Sequence, residues 1–160
     1  MNRIEPLFSH LPPPAECLAV LVGCAELTIF GLGGFADPVA FLKGFGLPSR
    51  TRPGDNHLKA SETDDEENTA VSAQRRALIG AVAARNIQNG ICLLAFGLYW
   101  RDRRALGTVV FSGLITTLAD TLMVDWYGSK DAVFGHVIGV FNSLAIGGAL
   151  LYWGRYDKLY

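Results

Sequence analysis

Five ionisable residues stand in otherwise apolar stretches of this chain: Glu26, Arg85, Asp120, Asp125 and His136. A charged group in hydrocarbon costs about 2.5–3.5 kcal/mol on insertion scales, so each of these positions needs a purpose. Two carboxyl groups beside an arginine suit the water-mediated opening of an epoxide. One carboxylate takes a proton from water, an amide orients that water, and a second acid donates to the oxirane oxygen. The amides are present: Arg85, Gln88 and Asn89 stand at i, i+3 and i+4 on one helical face, with Asn86 adjacent. Thr116 and Thr117 lie one turn before Asp120. In this reading Asp120 is the base or acid, Arg85 its positioning partner and Glu26 the second carboxyl group. His136 and Asn89 orient water or substrate, and Asn86, Gln88 and Thr116 contact the substrate. The plainer reading of the same residues is structural: Arg85–Asp120 locks helix to helix, Asp125 ends a helix at the interface, and His136 is a satisfied hydrogen bonder.

The elements that must position these residues are membrane spans. Of the 160 residues 50% are hydrophobic and 18 more are glycine, while 11 of the 29 charged residues crowd between Arg50 and Arg76. The rest of the chain is nearly charge-free, and its apolar runs approach the roughly 20 residues a bilayer demands. The sequence predicts an all-α fold, a four-helix antiparallel transmembrane bundle with spans near 16–35, 78–100, 105–126 and 133–153 in a single membrane domain. The first follows Pro12-Pro13-Pro14 and is read as an uncleaved span rather than a signal peptide. Residues 38–48 read as a short interfacial or re-entrant piece. Residues 49–72, with Glu62, Asp64, Asp65, Glu66 and Glu67, read as a disordered acidic loop for want of large apolar side chains. Arg101-Asp102-Arg103-Arg104 forms a tight hairpin.

Depth then brings the ionisable residues together. Span one reaches Glu26 near its middle, span two reaches Arg85 about two turns from the loop side, and span three carries Asp120 and Asp125 in its last turns on that side. His136 opens span four there. Basic residues at the termini and in the 101–104 hairpin favour cytosolic termini.

Composition excludes other classes. A net charge of −1 offers no basic face to nucleic acid. Cys17, Cys24 and Cys92 fall in or beside apolar helices and imply no disulfide framework. No second histidine or cysteine pair stands at ligand spacing, so no metal site is expected. Gly31-Leu32-Gly33-Gly34 lacks the strand context of a nucleotide loop and reads as helix packing. No organic cofactor is expected.

Several short motifs carry a resemblance. The Pro38–Pro48 segment ending Gly44-Phe45-Gly46-Leu47-Pro48, Ala84-Arg85-Asn86 followed by Gly90, Arg104-Ala105-Leu106-Gly107, Asp120, and His136 with Gly139 together resemble a family of small four-span membrane proteins. That family is frequent in fungi and catalogued as a domain of unknown function. The long acidic insert is the main departure. Proteins of this look are similar to membrane-bound tailoring proteins of fungal secondary-metabolite pathways, some assigned to epoxide hydrolysis or cyclisation of polyketides and terpenoids. The resemblance implies roles for Arg85, Asn86, Asp120 and His136. The partners expected are the lipid bilayer, a lipophilic small-molecule substrate, and either a second copy or pathway enzymes, at the endoplasmic reticulum. The alternatives are a non-catalytic membrane scaffold and a small oligomeric transporter.

Overall fold

A computed structural model of the protein describes residues 14–48 and 62–152, with side chains in the second stretch described from Ser72 onward. The described residues are helical, with no strand. Four helical stretches are long and apolar enough to cross a membrane: Pro14–Ala36, Ser72–Tyr99, Arg103–Tyr127 and Lys130–Tyr152. Their outward faces carry bare apolar side chains such as Leu21, Ile29, Ile115, Phe134 and Phe141. In water such a surface would associate; in lipid it is solvated.

The first span is composite. Helix α1 (Pro14–Ala25) runs into a π-helical segment, Glu26–Leu32, and ends in α2 (Gly33–Ala36). Asp37 then caps α3 (Pro38–Phe45), its carboxylate accepting from the Val39 and Ala40 amides at 3.1 and 2.9 Å. Gly46 stops α3 in the left-handed region at φ 89°, where a side chain would be strained and would also collide with Ala132. The expected re-entrant piece is thus a capped two-turn helix. Helix α4 (Glu62–Leu94) passes into a second π-helical segment, Ala95–Tyr99. Arg101, at φ 50°, and Asp102 turn the chain into α5 (Arg103–Tyr127), with Asp102 capping the Ala105 amide at 3.0 Å. Helix α6 (Lys130–Tyr152) returns.

One expectation is corrected. The acidic run Glu62–Glu67 is the first two turns of α4, not part of a disordered loop; residues 49–61 of that predicted loop lie outside the described residues. Helix physics explains the difference. The run extends a helix already nucleated by the span below it, so it adds turns without a nucleation cost.

The bundle consists of two hairpins. The first span packs along α4, closely enough that a side chain at Gly90 would meet the Leu27 amide and the Gly23 carbonyl. Helices α5 and α6 form the other hairpin. Ala19, Leu93, Leu106, Val110, Ile146 and Leu150, drawn from all four spans, fuse the hairpins into one core near the 101–104 turn. Towards the opposite end that fusion thins. Between Val110 and Val124 no residue of α5 is buried, and none of α6 before Ile146.

Candidate functional site

In that half, an ion pair joins α4 to α5. Arg85 donates through Nη2 to Asp120 Oδ2 at 2.9 Å and through Nη1 to Asp120 Oδ1 at 3.2 Å, a bidentate pair. Asn86 holds the opposite edge of the guanidinium, its Oδ1 accepting from Nε at 3.4 Å and Nη2 at 3.3 Å. Its Nδ2 in turn donates to the Phe30 carbonyl at 3.5 Å. Phe30 belongs to the π-helical segment, where the ladder shifts to i→i−5 bonds, as in Gly33 N–H to the Thr28 carbonyl. That widened turn presents its backbone to a neighbouring helix. Glu26 opens the same segment and interacts electrostatically with both Arg85 and Asp120. Three spans therefore converge on one polar layer.

Exposure is uneven within that layer. Asn86 is buried, the Asp120 side chain is 15% exposed and that of Arg85 35%. The contacts above engage four of the five guanidinium N–H groups, leaving one on Nη1 that no described residue accepts.

The other predicted residues sort by position. Asn89 stays half-buried on the side of α4 that bears Arg85, but Gln88 is exposed and turned away from the bundle, so the expected shared face splits. Thr116 lies part-buried on α5 and donates to the Gly113 carbonyl at 2.7 Å, which leaves its oxygen able to accept. Asn86 clamps Arg85. His136 pairs through Nε2 with the Phe45 carbonyl at 3.0 Å, and its ring meets Phe45 edge-on at 4.7 Å. A carbonyl only accepts, so Nε2 carries the hydrogen and this contact ties α3 to α6. The α5–α6 register, with Gly107 against Leu150, Phe111 against Gly147 and Thr117 against Gly139, sets His136 at the level of Asp120. Asp125 leaves the group: it pairs with Lys130 across the α5–α6 turn, where both are exposed.

A buried ionic pair escaped the sequence reading. Arg103 and Glu16 approach to 3.6 Å with side chains only 8% and 11% exposed, and Arg103 also donates to the Ala149 carbonyl at 3.5 Å. Spans one and three begin on the same side of the bundle, which puts their third and first residues at one level; that was the available signal. Among the described residues no cluster of three His, Cys, Asp or Glu forms a metal site.

The model of a family described as a domain of unknown function, DUF4267, matches residues 24–150. No curated protein and no solved structure matches the chain. The matched residues contain the whole Arg85–Asp120 layer and both hairpin turns, and the chain belongs to that family.

Proposed function

We propose that this DUF4267 member is a membrane-embedded, acid–base enzyme of secondary metabolism. It would hydrolyse an epoxide on a lipophilic polyketide or terpenoid intermediate, or cyclise such an intermediate, without an organic cofactor. One observation carries the reading: an arginine side chain at hydrocarbon depth is one-third uncovered, and its guanidinium retains an N–H that no described residue accepts. Leaving such a group against acyl chains is costly, whereas the oxygen of a bound substrate or a water would satisfy it.

In the hydrolytic step Arg85 Nη1–H binds the oxirane oxygen. Asp120 takes a proton from water as the water oxygen bonds to an epoxide carbon. The carbon–oxygen bond breaks, and the oxygen receives a proton from Glu26. Transfer of the proton from Asp120 back to Glu26 restores both groups. Asn86 holds the guanidinium plane, and Asn89 and His136 would orient water.

The rival reading is a scaffold in which the bidentate pair only joins the hairpins. Microsomes expressing wild type, Arg85→Ala and Asp120→Asn, compared at matched abundance on a panel of lipophilic epoxides and polyenes, separate the two. Turnover by wild type with a loss of at least about 100-fold in both variants supports the enzyme. No turnover by any form, with both variants poorly accumulated, supports the scaffold.

A further inference from the structure

Helix α4 has two sharply different faces. Ile79, Ala83, Asn86, Gly90 and Leu93 are buried against the bundle, whereas Gln74, Ala77, Ala81, Ala84, Gln88 and Ile91 are exposed on the opposite side. The exposed set recurs at intervals of three, four, three, four and three residues. That is the spacing of a left-handed helix–helix seam, and three of its six positions are alanine, which lets a neighbouring backbone come close. Small residues alone do not define a contact. Gln88 adds an independent demand. It lies eleven residues before Tyr99 at the span's end, roughly 16 Å along the helix, so its amide sits at hydrocarbon depth. It makes no side-chain hydrogen bond with any described residue. Acyl chains offer it none.

We propose that this face of α4 is a homodimer interface in which a second copy of the chain packs its own α4 in parallel, with Gln88 reciprocally hydrogen-bonded to Gln88 of the partner subunit. The chemistry selects the occupant. A carboxamide is both donor and acceptor, so two related by a two-fold axis along the membrane normal satisfy each other, and the alanine seam is self-complementary under the same operation. Arg85 flanks this seam, one turn from Ala81 and Gln88, but its guanidinium is committed to Asp120 of α5. The proposal therefore does not depend on the enzymatic reading.

The test uses the full chain in lipid vesicles, with Cys17, Cys24 and Cys92 replaced by alanine and single cysteines introduced at Ala81, Ala84, Gln88 and, as an off-seam control, the exposed Ile115 of α5. Oxidation should give disulfide-linked dimers at the three seam positions and not at Ile115. In an energy-transfer assay between labelled copies, Gln88→Leu should weaken association about tenfold, as the loss of two interhelical hydrogen bonds implies, and Gln88→Asn should weaken it less. Gln88 faces outward, so leucine there leaves the bundle folded, which the unchanged melting temperature checks. A monomer at all lipid dilutions, crosslinking as efficient at Ile115, or undiminished association of Gln88→Leu would each overturn the proposal.

Discussion

The two ionic layers of the bundle invert the usual relation between depth and cover. Glu16 and Arg103 stand at the ends of spans one and three, where water is near, yet protein covers about nine-tenths of each side chain. Arg85 lies far inside its span and has a third of its side chain uncovered. The shallow pair joins the apolar core of all four spans, completing the closed end of the bundle. The deep pair bridges two hairpins where apolar packing has thinned. Among the described residues the deep layer combines charge, an uncovered arginine side chain and a cluster of amides, the attributes of a site.

The contrast breaks most visibly at the closed end. Arg103→Ala removes the guanidinium that the covered Glu16 carboxylate faces, and removing one partner of a buried pair typically costs about 3–5 kcal/mol. Thermal unfolding in detergent should show a large fall in melting temperature, and the double change Glu16→Gln with Arg103→Gln should recover part of it. A melting curve for Arg103→Ala that overlies wild type would erase the distinction between the layers. At the open end the largest structural effect belongs to the clamp. Asn86→Ala removes the amide bridging Arg85 to the Phe30 carbonyl and should cost about 1–3 kcal/mol. Asp120→Asn keeps the shape and one acceptor, so it should cost only about 1 kcal/mol, near the measured range for polar contacts between spans. Its stability loss should be small beside the loss of turnover described above. Equal losses of stability at Arg103 and Asp120 would recast the deep pair as a second structural lock.

What was legible in the sequence follows from what a one-dimensional pattern encodes. Span length, the hairpin at Arg101–Arg104 and depth within a span depend only on rise per residue and alternating direction; of the five ionisable residues placed in one half, Arg85 and Asp120 meet, whereas Asp125 pairs with Lys130 at the turn. Azimuth was less accessible. Spacing put Gln88 with Arg85, but a 60° rotation between positions i and i+3 decides whether a side chain faces α5 or lipid. The π-helical segments carry no residue signature, because one extra residue per turn is a feature of the ladder, and so the link from Asn86 to Phe30 was hidden. Glu62–Glu67 failed differently. Composition measures whether a segment can bury surface, and this one is ordered instead by continuing a helix that begins within the bundle.

His136 sharpens the comparison at a smaller scale. Its bond to the Phe45 carbonyl docks α3 on α6 at the open end, with Ser129 N–H to the Gly46 carbonyl at 3.0 Å as the second tether. His136→Ala should cost about 1 kcal/mol overall, the typical worth of one neutral hydrogen bond. The loss should be local, seen as faster amide exchange at Gly46 and Leu47, whose N–H groups bond within α3. Exchange that accelerates instead through the α5–α6 hairpin would mean that His136 supports the deep layer itself.

The smallest effect is expected at the third ion pair, Lys130–Asp125, which shows what charge pairing contributes without cover. The Lys130 side chain is 77% exposed and that of Asp125 43%, and the two lie within five residues of each other across a turn. Water and salt screen such a pair, and ordering a long lysine side chain offsets much of the attraction, so Lys130→Ala should change stability by less than about 0.5 kcal/mol. The melting temperature should stay within error of wild type and lose any residual difference as salt is raised. A Lys130→Ala penalty approaching that of Arg103→Ala would show that the turn, and not protein cover, determines how strongly a charge pair holds this bundle.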